Sequence, residues 1–188
     1  MAKHILLTLL FTTVASVIFS QEGIKWYTWE EGMMKAEKEN KKFVIDMYTD
    51  WCGWCKKMDK ATFQNPVVAE YVNENYIAIK FDAEQKENIT FKGEEHKYVR
   101  SGRRGYHTLA AKLTNGRLSY PTVVFLDEDQ QLIQAIPGYQ GPQDFHPIAM
   151  YFAEDLHHQM PWSSFITSYK QDLQNDPNHS QLVGNKKP

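Results

Sequence analysis

The sequence predicts an α/β domain: a central mixed β-sheet with helices on both faces. Three observations carry this. An apolar, strand-like run, Phe43-Val44-Ile45-Asp46-Met47-Tyr48, leads into the chain's two cysteines, Cys52 and Cys55, and then into a stretch, 56–63, that can continue as a helix. A second such run, 76–82, follows a helix start at Asn65-Pro66, giving a strand–helix–strand unit. The runs 122–126 and 132–136 are joined by Asp127-Glu128-Asp129-Gln130, a turn composition that makes them an antiparallel hairpin. A crossover unit joined to a hairpin gives a mixed sheet, and such a sheet needs a helical layer on each face.

Composition bounds the rest. Of 188 residues, 42% are hydrophobic and 13% aromatic, enough to fill the core of one domain. The formal net charge of −2 leaves no nucleic-acid footprint. Residues 1–20 read as a secretory signal peptide: Lys3 is the basic start, 5–19 the apolar centre, and Ser20 a small residue at a plausible cut. The apolar run is short for a membrane anchor and carries Thr and Ser, and no cysteine at the cut invites lipid attachment. The expected organisation is a signal peptide over 1–20, one domain over 21–173 and a disordered polar tail over 174–188. The expected location is outside the cytoplasm, most naturally the periplasm, where disulfides persist.

The elements follow in order. Thr28 and Glu31 fit a capping box, opening a helix to about residue 40 with Trp29, Met33 and Ala36 inward. Lys41-Lys42 leads into the strand at 43–49. Asn65 caps a second helix with Pro66 at its first position and Val67, Val68, Tyr71 and Val72 on its apolar face. After Asp82 the pattern changes. Ile89-Thr90-Phe91 and Tyr98-Val99 flank Lys92-Gly93-Glu94-Glu95, read as one small hairpin, and 101–105 is a basic, glycine-flanked loop. Residues 106–114 are helical, with Leu109, Ala110 and Leu113 on one face. Gly138 ends the last strand. A helix over about 142–157 and another over 162–173, with Phe165, Ile166, Tyr169 and Leu173 at helical spacing, complete the domain.

Cys52 and Cys55 sit where a helix begins. A thiol there faces unpaired backbone N–H groups and the positive end of the helix dipole, which favours thiolate, the reactive form. A structural disulfide is the bland alternative, but a ring of four residues closes too little chain to stabilise much. Zinc needs about four ligands. There is no second cysteine pair, and His96 and His107 are too few, so no metal and no cofactor is expected. Asp46, in an apolar strand, would have its pKa raised by burial and can then exchange a proton with Cys55; the alternative is an aspartate held for structure alone.

These residues resemble the thioredoxin-fold superfamily, over roughly 25–157. The stretch FVIDMYTDWCGWCKKMDKATFQNPVV is similar to the C-terminal thioredoxin-like domain of bacterial transmembrane thiol:disulfide interchange proteins. The resemblance implies that Cys52 is the attacking cysteine, Cys55 the resolving one and Asp46 the buried acid. It implies that Lys80 stands near that acid and that Tyr120-Pro121-Thr122 holds a cis-proline opposite the cysteines. Gly138 matches the glycine after the last strand. Trp51, Trp54 and Tyr120 become candidate substrate-binding residues, with the Tyr120 backbone free to pair with an extended partner segment. Two features depart from the family. Trp54 stands where thioredoxin has proline, which leaves the direction of electron flow open. Residues 84–105 exceed the usual connection, forming a hairpin-like insert before the proline; its basic loop, Arg103-Arg104, reads as a solvated surface, with a flap or docking ledge near the active face as the sharper alternative.

The expected function is therefore an exported thiol–disulfide oxidoreductase that reduces or exchanges disulfides in protein partners, with a membrane electron donor as a candidate source of electrons. A peptide-binding or redox-sensing module without turnover is the alternative.

Overall fold

In a computed structural model, residues 23–175 and Leu182 are described. The expected signal peptide and most of the expected tail lie outside the described residues. Five strands form the main sheet in the order β1-β3-β2-β8-β9. At its centre β2 (Lys42–Tyr48) runs parallel to β3 (Tyr76–Asp82), with Asp46 opposite Lys80. A short strand ahead of the first helix, β1 (Trp26–Tyr27), extends the parallel side. On its other edge β2 pairs antiparallel with β8 (Thr122–Leu126), which pairs antiparallel with β9 (Leu132–Pro137). The mixed sheet is the one the sequence predicts.

Strand alternation divides the core in two. Phe43, Ile45 and Met47 point to one face and pack with Ile77, Ile79, Phe81, Val124 and Leu126. That face is covered by α1 (Trp29–Ala36) and α4 (Thr108–Leu113), through Trp29, Leu109 and Leu113. Helix α1 has the expected capping box, with Thr28 and Glu31 bonding each other's backbone N–H. It lies so close to the sheet that a Cβ on Gly32 would stand 2.6 Å from Ile79 Cδ1. Val44, Ala78, Val123 and Phe125 point to the opposite face. It is covered by α2 (Gly53–Met58), α3 (Pro66–Asn75), α5 (Pro142–Ala153) and α6 (Trp162–Asn175), the extra C-terminal helix. Leu182, within the expected tail, is buried in this same cluster.

The insert differs in detail from the sequence reading. It is two hairpins, not one. β4 (Ile89–Phe91) pairs with β5 (Glu94–His96), and β6 (Tyr98–Ser101) pairs with β7 (Arg104–His107). The first closes early because Lys92 and Gly93 both take positive φ, 52° and 77°, the geometry of a two-residue hairpin turn. Glu94 and Glu95 are thus strand residues rather than turn residues. The basic loop expected at 101–105 is the tip of the second hairpin, with Arg104 and Gly105 inside β7. Helix α4 begins at Thr108 because His107 is its N-cap, the imidazole accepting the Leu109 N–H.

Candidate functional site: a cysteine pair above a buried carboxylate

Cys52 follows a tight turn after β2, its N–H donating to the Thr49 carbonyl at 3.0 Å. It is the N-cap of α2, in extended conformation, and its sulfur accepts the Cys55 N–H at 3.0 Å. Cys52 and Cys55 are joined as a disulfide. Both are buried, at 4% and 2% exposure, so a partner reaches them only at the helix start. Beyond Met58 the chain continues as a helix, as expected, but widens into a π-helical turn, Asp59–Phe63.

Asp46 shares its strand face with Val44, the face on which α2 and the π-turn pack. It is 1% exposed. Lys80 Nζ lies 2.6 Å from Asp46 Oδ2 as an ion pair, and no other polar group among the described residues bonds either carboxylate oxygen. Burial pushes the Asp46 pKa from an ordinary 3.8 up to about 6, against the pull of Lys80. Lys80 is shared: its ammonium also bonds Asp59 Oδ1 on the π-turn. It stands 4.9 Å over the Trp26 ring, 5.2 Å over Tyr48 and 5.4 Å over Phe63. Burial acts to lower the Lys80 pKa, but Asp46 and Asp59 outweigh it and hold the pKa above its ordinary value. A cleft lined by Trp26, Asp59, Phe63 and Lys80 opens this cluster to solvent.

The peptide bond between Tyr120 and Pro121 is cis. Thr122 pairs with Met47, which sets Tyr120-Pro121 beside the end of β2 and the turn into the cysteines. Gly138, at φ 90°, donates its N–H to the Pro121 carbonyl at 2.8 Å and ties the end of β9 to the proline. Two tryptophans project beside the pair, Trp51 at 51% exposure and Trp54 at 57%, both available to a partner. Trp51 meets Tyr120 edge-on at 6.1 Å between ring centres and donates its indole N–H to Glu84 at 3.0 Å. Trp54 lies 5.5 Å from the Tyr139 ring. Burial first, then Glu84 and Asp82, push the Tyr120 pKa to about 12, so it remains a neutral phenol.

All seven residues singled out from sequence as site candidates, Cys52, Cys55, Asp46, Pro121, Trp51, Trp54 and Tyr120, therefore lie around the end of β2. Sequence reasoning missed Asp59, Glu84, Lys57 and Tyr139, and read Arg104 only as part of a basic loop. Arg104 stacks 4.1 Å over Trp51, and Lys57 stands 4.6 Å over Trp54. Lys57, three residues after Trp54 on one helix, was recoverable from helical spacing; the others are tertiary contacts with no local signal.

His107 Nε2 lies 3.0 Å from the Glu87 carbonyl and its Nδ1 accepts the Leu109 N–H, so both nitrogens are engaged. Among the described residues, Asp155, His157 and His158 bring ligand atoms within 4.8 Å of one another. The Lys42 ammonium, 2.9 Å from Asp155, occupies that carboxylate and would repel a cation.

A mixed sheet, a helix capped by the first of two disulfide-bonded cysteines and a cis-proline beside them define a thioredoxin-fold protein of the oxidoreductase-like class. More particularly, the family model Thioredox_DsbH, described as "Protein of unknown function, DUF255", matches residues 17–146, and the chain belongs to that family. Spermatogenesis-associated protein 20 of Rattus norvegicus is 33% identical over 67 residues, 35% of this chain but 8% of that protein. Among solved structures, a thioredoxin from Thermus thermophilus superposes with a TM-score of 0.51 at 14% identity, covering 70% of this chain and 88% of that one. The reduced C-terminal domain of DsbD from Neisseria meningitidis is also similar, with a TM-score of 0.42 at 21% identity, covering 63% of this chain and 87% of that domain. Family and cysteine pair together point to thiol–disulfide redox chemistry. Among the described residues no helix is long and apolar enough to cross a membrane.

Proposed function

We propose that this protein is an exported thiol–disulfide oxidoreductase that reduces or exchanges disulfides in protein partners. In the reduced form, the Cys52 thiolate attacks one sulfur of a partner disulfide. That bond breaks, the other partner sulfur leaves as thiolate, and a mixed disulfide forms on Cys52. Cys55, losing its proton to Asp46, attacks Cys52; the second partner thiolate leaves and the Cys52–Cys55 disulfide closes. Two electrons have passed to the partner, and a dithiol donor must return them. Lys80 moderates the basicity of Asp46. Trp51, Trp54 and the Tyr120-Pro121 segment bind the partner chain.

The observation that carries this reading is the position of Cys52 at the N-cap of α2, on the sheet face that holds the buried Asp46 and its half-buried partner Lys80. Export to the periplasm is supported by Lys3 and the apolar run 5–19. The direction proposed is reduction, with a thiol relay in the membrane as donor. A Cys55→Ser variant tests the chemistry. It should accumulate mixed disulfides on Cys52, released by dithiothreitol and absent in Cys52→Ser. Wild type inactive toward a model disulfide, together with no trapped adduct, would favour a peptide-binding module. A couple whose potential lies nearer about −270 mV than about −120 mV supports the reducing direction.

A further inference from the structure

The insert that sequence comparison with ordinary thioredoxins leaves unexplained rests on the residue next to Cys52. The chain's net charge is −2, yet the second hairpin, 98–107, carries Arg100, Arg103 and Arg104 and no carboxylate. The acids of the insert lie outside the second hairpin: Glu84 and Glu87 at its base, and Glu94 and Glu95 in the first hairpin, where Glu94 is tied to Lys112. The second hairpin is held in one shape by Gly105. The Tyr98 ring crosses it so closely that a Cβ there would stand 2.3 Å from the ring and 2.4 Å from the Val99 carbonyl oxygen. With Gly105 beneath Tyr98, alternation along β7 turns Arg104 to the other face, where its guanidinium lies 4.1 Å over Trp51. Glu84, at the base of the insert, holds the indole N–H of the same tryptophan. The insert thus grips Trp51 from two sides.

The far flank repeats the arrangement. Lys57 stands 4.6 Å over Trp54 and 5.2 Å over Tyr139. With Lys56 and Lys60 it lines a shallow depression on the motif helix. Each exposed tryptophan beside the cysteines therefore carries a cation on its face. The opposing charges are Asp50, Asp82 and Glu84. The Glu84 carboxylate is bonded to Trp51 and the Asp82 carboxylate accepts the Glu84 N–H, so Asp50 is the one exposed acid of the three. A guanidinium stacked on an indole keeps its N–H edge free for a carboxylate.

We propose that the second hairpin is the partner-selecting element of the redox site, and that it selects polypeptides with acidic side chains flanking the cysteine that pairs with Cys52. The inference rests on the thiol–disulfide reading. Arg104 and Arg103 meet the segment on the Trp51 side, and Lys57 meets it on the Trp54 side.

The test uses three disulfide substrates: a small neutral disulfide, and two peptides of equal length whose disulfide is flanked by Asp and Glu or by Lys and Arg. For the wild type at low salt, kcat/KM for the acidic peptide should exceed that for the basic peptide by about tenfold, the work of two or three partly exposed ion pairs, with the difference in KM. The ratio should fall to about threefold or less in the triple variant Arg100→Gln, Arg103→Gln, Arg104→Gln, and likewise in wild type at 0.5 M salt, where the Debye length is only a few ångströms. Turnover of the small disulfide with equal rates for both peptides, or a ratio unchanged in the triple variant, overturns the inference and leaves the redox reading standing. Inactivity toward all three substrates overturns the redox reading and the inference with it.

Discussion

Replacing Asp46 by Asn should make the oxidised protein more stable at neutral pH. The carboxyl ionises near 3.8 in the unfolded chain and near 6 in the fold, because burial penalises its charge more than Lys80 favours it. Between those values the folded state holds the extra proton, so stability falls as pH rises through that window. At about 1.36 kcal/mol per pH unit the loss above pH 6 is about 3 kcal/mol. Asn is isosteric and carries no charge to bury. Lys80 is not left unpaired by the change, because Asp59 already bonds it from the π-turn. Urea unfolding of oxidised wild type and Asp46→Asn from pH 4 to pH 8 reads the difference. The two curves should nearly coincide at pH 4, diverge between pH 4 and 6, and stay apart by about 3 kcal/mol above that. A variant no more stable than wild type at pH 8, or a difference independent of pH, would refute the reasoning. The same variant should lose resolution of mixed disulfides if Asp46 takes the Cys55 proton.

Three further outcomes follow from particular contacts. Lys80→Met removes the cation beside Asp46, so the Asp46 midpoint, read by carboxyl-carbon NMR, should rise above about 6, whereas Asp59→Asn, which leaves Lys80 wholly to Asp46, should lower it. Gly105→Ala places a methyl 2.4 Å from the Val99 carbonyl, a backbone atom that cannot rotate away; it should cost about 1–3 kcal/mol and change Trp51 fluorescence as Arg104 leaves the ring. Tyr76→Phe removes the hydroxyl that donates to the Ala149 carbonyl at 2.6 Å across the buried α5 contact; it should cost about 1–2 kcal/mol in urea unfolding with an unchanged slope, and a loss under about 0.3 kcal/mol would show that carbonyl to be satisfied otherwise.

What could be read from the sequence was what is local. The capping box at Thr28 and Glu31 and the Asn65-Pro66 helix start each complete their interactions within one turn, so residue spacing specifies them. The runs 43–48 and 76–82 are buried on both faces and therefore nearly continuous in apolar residues, which marks central strands even without alternation. The first hairpin of the insert was misread because two turn compositions compete over 92–95. Lys92-Gly93 closes the hairpin in two residues, and nothing in Glu94-Glu95 announces that they prefer a strand, since their side chains are exposed and decide little.

The site divides along the same line. Cys52, Cys55 and the start of their helix are one local unit. Asp46 and Lys80 meet because parallel strands place residues 46 and 80 side by side, a register that two apolar runs fix once each is aligned on its buried face. Asp59 reaches Lys80 only because the helix widens into a π-turn, and no residue in Asp59–Phe63 forces that widening by its own propensity. Arg104 reaches Trp51 from 53 positions further along the chain, through a hairpin whose shape depends on Tyr98 crossing Gly105. Local sequence thus fixes the redox pair itself, while the groups that set its proton affinity and its partner charge come from long-range packing. Two chains of this family with the same Cys-Gly-Trp-Cys motif can therefore share the chemistry and differ in partner, if their inserts bring different side chains onto the tryptophan before the first cysteine.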